Sequence, residues 1–483
     1  MRSKNWRFSE KLIWLFILAA SVLLRVGVAL YLGDMVDAPP LMTDQRSYHA
    51  LGARLVQGYG YSFDRGWYPF TLPNTPTAFW SFLYPLFVAA VYAVFGVHPL
   101  AVRLVQAVLG GILLPWMVYR LARRLTLTAH GTPPVGGAVS REGLEQGAGW
   151  GWQGLPLLAA ALCVIYGYFI LYAATLMTET FYIVAVLWSL ETGLRLGARL
   201  REGHSVPWRL ALELGLSLAV STLLRQSFLP WVPLFFLWLL VKAFTRSNVS
   251  TFGRSNVLTT GWAALRSLIL AGLVLVLGIL PWTIRNYRVY GRFLLLNSNT
   301  GYAMYSAQHP MHGVSFHEFE AAPLPPDLKG TNEAEWDREL LRIGLQYVRD
   351  DPWRYLRLCL SRARAYFEFW PTPDTVPLHN IGRTASFGLF LPFMLYGLYL
   401  SLRRWPSQGD PLRPWGLGLL YLFMVFYPLL HILTWAMVRY RLPVDALGLI
   451  FAALALHDLY IRVRRWLALR ASTRMASHSR AGE

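Results

Sequence analysis

Residues 42–62 read MTDQRSYHALGARLVQGYGYS and carry one acid, Asp44, shortly after a long apolar run ends. Behind it Tyr48, Leu51, Leu55 and Val56 recur at helical spacing, with Arg46, His49, Arg54 and Gln57 between them. Gly58 and Gly60 close the pattern. The spacing predicts a short amphipathic helix along a membrane surface, with a carboxylate at its start. Such a carboxylate can take a proton from an acceptor; Asp at that position also suits a helix N-cap. A second acid, Glu179, falls in the turn TLMTET between two apolar runs, where it too has a capping reading. Two acids meeting at one membrane surface can deprotonate an acceptor or hold a divalent cation. No metal-ligand spacing occurs in the chain, so no metal residue and no resident cofactor is assigned.

The candidate cations stand at span ends. Arg285 lies in PWTIRNYRVYG with Asn286 and Arg288 beside it, Arg439 and Arg441 flank Tyr440 in MVRYRLPVD, and Arg225 lies in LLRQSFLP. The expected topology puts them all on the outer side, where the positive-inside rule disfavours Arg. Snorkelling to headgroups accounts for one or two of them. The whole set points to an anionic ligand, because the guanidinium fork matches phosphate. Arg285, Arg439, Arg441, Arg225 and Asn286 are therefore the candidate phosphate-binding residues. Arg25, inside the first apolar run, either joins them or snorkels. Tyr48, Trp67, Tyr84 and Tyr440 are candidates to line the substrate, though most of the aromatic side chains belong to an interfacial belt. His309, His312 and His317 cluster without the spacing of a tight metal site.

The frame follows from composition. The 483 residues are 55% hydrophobic and 15% charged, and several apolar runs reach the ~20 residues that cross a bilayer. The runs are continuous, so helical spans are expected and a barrel is not. The net charge of +19 is scattered between apolar runs and fits cytoplasmic anchoring by Arg; it forms no continuous face for nucleic acid. Cys163 and Cys359 are not expected to form a disulfide. The N-terminal run is too long for a signal peptide and contains Arg25, so it reads as a retained span.

The chain is thus an all-α polytopic membrane protein with roughly ten spans and both termini cytoplasmic. The spans are expected at 12–32, 100–119, 155–172, 181–196, 210–224, 228–240, 268–284, 387–402, 417–435 and 442–459. The run 81–96 is short, and reading it as re-entrant or interfacial keeps Arg120, Arg123 and Arg124 inside. Residues 1–284 form an N-terminal membrane module whose first outer loop, 33–80, carries Asp44. Residues 285–384 are an extracytoplasmic region, 385–465 the C-terminal membrane helices and 466–483 a basic cytoplasmic tail. The middle region should hold a helix from Asn332 to about Val348, with Glu335 as capping-box partner. A second, capped by Asp351 with Pro352 at its first position, should carry a basic and aromatic strip suited to a membrane surface.

The ordered set TDQRSYHALGARLVQGYGYS, FLYPLFVAAVYAVFG, VRLVQAVLGG, MTET, PWTIRNYRVYG, DPWRYLRL and RYRLPV resembles bacterial integral-membrane glycosyltransferases of the GT-C superfold, close to glycosyltransferase family 39. That group includes protein O-mannosyltransferases and lipid A aminoarabinose transferases. The resemblance covers about residues 10–465 and implies extracytoplasmic juxtamembrane helices, a polyprenyl-phosphate sugar donor and an acceptor outside the inner membrane of a bacterium. It places the catalytic acid at Asp44 and a second acid at Glu179. Relatives often carry two adjacent acids in the first loop; this chain has Gln45 after Asp44, which bears on any metal role needing the pair. The long C-terminal domain of some relatives is not expected. The implied reaction moves a sugar to a lipid, glycan or protein acceptor with inversion. A transporter or flippase of lipid-linked sugars is the alternative. It would place charges at the midplane between paired broken spans. A non-catalytic scaffold leaves the gathering of acids and arginines on one side without a reason.

Overall fold

The computed structural model describes residues 2–37, 42–127, 154–201, 205–244, 254–317, 320–373, 377–403 and 413–480. Most of the Gly-rich loop expected over 122–152 lies outside the described residues, as do 245–253, 404–412 and 481–483. Among the described residues the chain is helical, with no strand and two isolated β-bridges, Ser62 with Pro76 and Trp67 with Thr71.

The helices are, in order, α1 (Arg2–Leu32), α2 (Asp44–Val56), α3 (Leu83–Phe95), α4 (Pro99–Leu127), α5 (Leu155–Ile165), α6 (Gly167–Ala173), α7 (Glu179–Arg201), α8 (Trp208–Leu224), α9 (Trp231–Phe244) and α10 (Arg254–Tyr290). They continue as α11 (Thr300–Gln308), α12 (Glu333–Asp350), α13 (Pro352–Tyr366), α14 (Pro377–Arg383), α15 (Leu389–Arg403), α16 (Arg413–Leu433) and α17 (Leu442–Arg480). A 3₁₀ turn, Val438–Arg441, joins the last two.

Eight of the described helical segments are long and apolar enough to cross a membrane, and nine are if the bent pair α5–α6 is one span. The bend is 63°; Tyr166 is extended at the break, and its hydroxyl donates to Asp445 at 2.6 Å. The tenth expected span, 210–224, is α8. It is 17 residues long and packs between α7 and α10, with Glu213 facing Arg195 of α7 at 2.7 Å. The short run 81–96 forms α3, 13 residues and too short to cross. Two boundaries differ from expectation. The α10 helix runs on to Tyr290, so Arg285 and Asn286 sit on a helix and not past its end. The α17 helix continues without a break into the basic tail. The protein is therefore an all-α polytopic membrane protein.

At one end of the bundle the polar region packs onto the first loop. Asn332 caps α12 by accepting from the amides of Ala334 and Glu335, and Asp351 caps α13 by accepting from that of Arg354. The first residue of α12, Glu333, is buried and accepts from Thr71 Oγ1 (2.6 Å), Thr77 Oγ1 (3.1 Å), the Ala78 amide (2.8 Å), Tyr290 (3.3 Å) and Ser298 (2.8 Å). One carboxylate thus ties the first loop, the end of α10 and the start of α12 together, its charge met by donors instead of a cation. The α11 and α12 helices cross so closely at Gly301 that a Cβ there would lie 1.7 Å from the Asp337 carbonyl oxygen.

Candidate functional site

Asp44 is the first residue of α2, whose N-cap is Thr43, and no side-chain capping bond forms there. The carboxylate instead lies 2.8 Å from Arg439 Nη2 and remains 32% exposed. Arg439 sits in the 3₁₀ turn with its Nε 3.7 Å from Glu179 Oε1; that Nε is buried and makes no hydrogen bond. Glu179 opens α7 with its side chain 2% exposed, and it pairs with Arg225. Arg225 ends α8 in an extended conformation that turns its side chain toward Thr178 Oγ1, 3.1 Å away. Four elements from distant parts of the chain thus deliver an alternating set: Asp44, Arg439, Glu179, Arg225.

The surroundings hold the guanidinium charges of Arg225 and Arg439 on despite burial. Burial is the largest single influence on Arg225 and opposes its charge, but Glu179 together with Tyr440 and Tyr427 outweighs it and the pKa is raised. Burial, and then Asp44, push the Tyr48 phenol well above its ordinary range, so it stays a neutral donor beside the acid. Tyr48 packs edge-on to Tyr84 at 4.9 Å. Tyr440 lies under Arg225 at 4.8 Å and Arg439 at 5.5 Å, flooring the arginine pair.

Arg285 is not part of this ion-pair chain. It lies over Trp282 (4.6 Å) and Tyr61 (5.9 Å) and donates to the Thr77 carbonyl (2.8 Å) and Asn286 Oδ1 (3.0 Å). Among the described residues no carboxylate lies within ion-pair distance of it. Asn286 spends its amide on the Leu294 and Leu296 carbonyls, so it braces the segment after α10.

Arg441 differs most from expectation. It is fully buried and pairs with Asp445 at 2.9 Å, donates to the Tyr366 carbonyl at 2.6 Å and lies 3.5 Å over Phe387. In a 3₁₀ turn residues two apart point in widely different directions, which is why Arg439 reaches Asp44 while Arg441 faces Asp445. Trp67 donates to Ser47 at 2.9 Å and stacks on Phe63, bracing α2 from its side. Arg25 is buried against Ser21 and the Cys163 carbonyl, holding α1 to α5.

Sequence reasoning gave no structural role to three residues that shape the site. Gln45 is buried, and its Oε1 accepts from the Leu176 amide at 3.1 Å, joining α2 to the turn before Glu179. On α4, Arg103 donates to the Ala174 carbonyl. One turn on, Gln106 donates to those of Tyr172, Ala173 and Thr175 and accepts from Tyr84. The signal was present: two strongly polar residues inside an apolar span.

The two acids do not fit a divalent cation as they stand. Arg439 serves both of them, Gln45 is engaged with backbone, and among the described residues no group of three His, Cys, Asp or Glu is placed to hold a metal.

No protein-family model matches the chain, and no curated protein matches it. Its fold is similar to that of the Archaeoglobus fulgidus oligosaccharyltransferase in the apo form, with 15% identity, a TM-score of 0.54 and coverage of 95% of this chain and 52% of that one. It is similar also to that enzyme tethered through a disulfide to an acceptor peptide containing the NVT sequon, with 14% identity, a TM-score of 0.52 and coverage of 94% and 50%. The chain spans about half the length of these structures. At such identity the likeness is one of fold alone: the helical membrane architecture of this chain is similar to that of the archaeal enzyme.

Proposed function

We propose that the protein is a membrane glycosyltransferase that moves a sugar from a polyprenyl-phosphate donor to an acceptor hydroxyl at the membrane face bearing Asp44. The observation that carries this reading is the pairing of a partly exposed carboxylate, Asp44, with an arginine, Arg439, that belongs to a cluster of cations. In the proposed step the acceptor hydroxyl gives its proton to Asp44 and its oxygen bonds to the anomeric carbon. The bond from that carbon to the phosphate oxygen breaks, and polyprenyl phosphate leaves with one more negative charge than it had in the donor. No acid is needed for so stable a leaving group; fixed positive charge is. Arg439 and Arg225 supply it, and Arg285, a cation without a carboxylate partner among the described residues, is the further candidate. Because Arg439 is bonded to Asp44 beforehand, an arriving phosphate competes for the guanidinium and releases the base as it binds. Displacement by one base inverts the anomeric centre.

The sidedness rests on charge. Arg120, Arg124 and Arg195 gather round Glu191 at the ends of α4 and α7 far from Asp44, and Arg403 and Arg462 lie toward the same side in sequence. The positive-inside rule makes that face cytoplasmic and the Asp44 face extracytoplasmic.

The test is purified protein in lipid nanodiscs with polyprenyl-phosphate hexoses and pentoses, following release of polyprenyl phosphate. Acceptor-dependent release supports the reading. Donors that bind but are never consumed, in the presence of cell-envelope lipid, glycan and protein fractions, would overturn it.

A further inference from the structure

We infer that α13 is a bilayer-docking helix whose outer face takes anionic phospholipid headgroups, a surface independent of the proposed reaction. The helix lies at the height of a span end. Tyr355 donates to the Leu433 carbonyl at 3.0 Å and Arg362 Nε to that of Ile432 at 2.8 Å, the last two residues of the α16 span. About a quarter-turn round the helix, Arg354 donates to the carbonyls of Gln308, His309 and Gly313 in the polar layer, and Arg362 Nη1 also donates there, to the Ala307 carbonyl and Gln308 Oε1. These anchors fix the roll of α13: Tyr355 reaches the membrane end of α16, Arg354 reaches the polar layer, and Arg362 between them reaches both. The remaining face looks sideways, out of the molecule.

That face has an ordered composition. Trp353, Leu356, Arg357, Leu360, Arg364 and Phe367 are exposed, and at ~100° per residue they fall on one stripe. Trp353 is 76% and Leu360 66% exposed, a poor arrangement for an apolar side chain in water. Within the stripe, Leu356, Leu360 and Phe367 lie on the edge nearer Tyr355 and Tyr366, toward the span. Arg357 and Arg364 lie on the edge nearer Arg354, toward the polar layer. Apolar groups toward the acyl chains and guanidinium groups level with the phosphates are what an interfacial helix presents to an anionic bilayer. The lipid-facing surface continues below, through exposed Leu389 and Leu395 of α15 and Leu429 of α16.

The experiment uses the full chain. Both native cysteines are buried, so a nitroxide methanethiosulfonate attaches to an introduced one and the unmodified protein is the control. Leu356→Cys, Arg357→Cys and the reference Glu335→Cys are labelled in nanodiscs of phosphatidylcholine with or without phosphatidylglycerol. The label at 356 should be collided with by oxygen in preference to a nickel chelate, and that at 335 the reverse, with 357 between them. Nickel accessibility at 356 equal to that at 335 would overturn the docking. In a second arm, native mass spectrometry compares the phosphatidylglycerol retained by the protein and by its R357Q/R364Q variant. Retention should fall about five-fold per arginine. Unchanged retention would overturn the headgroup assignment, even with the docking intact.

Discussion

Arg439 bonds Asp44 through Nη2 at 2.8 Å while its Nε lies 3.7 Å from Glu179, so one guanidinium serves both acids of the candidate site. The pairing links the first loop to the turn before the last helix, and through Arg225 it reaches the end of α8. Disturbing one member should therefore be felt by the others.

Glu179 is the most buried member, and removing its charge leaves Arg225 and Arg439 facing one another. Glu179→Gln should destabilise the protein by about 3 kcal/mol. Arg225→Gln should do so by a similar amount, and the double variant by clearly less than the sum. Thermal unfolding of the four proteins in one detergent checks this; additive losses would show that the pair is not coupled.

Gly52 lies two turns beyond Asp44 where α2 crosses α3, and a Cβ there would sit 2.4 Å from Val88 Cγ1. Gly52→Ala must shift α2, and with it the carboxylate. Turnover should drop by about 10²-fold, the scale of a misplacement near 1 Å, and Gly52→Ala with Val88→Ala should recover part of it. Steady-state release of polyprenyl phosphate measures both; full turnover in the single variant would show that the crossing does not set the position of Asp44.

Asp337 gives the polar layer a pH dependence. Burial is the main cause that raises its pKa from the ordinary carboxyl range to about 7, against the amides of Gly301 and Tyr302 that donate to it and with a smaller push from Glu333. The folded state keeps this proton to a higher pH than the unfolded state does. Its stabilising effect is complete below about pH 4 and is lost as pH rises to about 7. Hydrogen-exchange protection of the Gly301 and Tyr302 amides should fall with pH over that window, by up to about tenfold per unit. Asp337→Asn should flatten the profile. Protection that is constant with pH in the unmodified protein would contradict the shift.

The topology gives a separate prediction. A reporter fused at residue 335, in the layer that Glu333 ties to the first loop, should report an extracytoplasmic position. A cytoplasmic signal there would reverse the proposed sidedness.

The sequence exposed Asp44, Glu179, Arg225 and Arg439 because each breaks a rule of membrane composition, and a residue that costs energy to place is conspicuous. The caps at Asn332 and Asp351 were legible because capping is local. Arg441 was not separable from Arg439 by eye: the 3₁₀ turn that parts them is a matter of backbone geometry. Asp445, four residues after Arg441, carried the spacing of an internal ion pair. The roles of Glu333 and Gln106 were hidden for another reason. Their partners are hundreds or tens of residues away in sequence, and only the packed fold brings them together. The span count differed at α8, where one polar face buried against α7 lowers the apolar signal.

The most direct test is turnover of Asp44→Asn. The amide keeps the shape of the side chain and can still bond a neighbour, but it cannot take the acceptor proton. The account predicts a loss of at least about 10²-fold in acceptor-dependent release of polyprenyl phosphate, with donor binding retained. Full turnover by Asp44→Asn would contradict it.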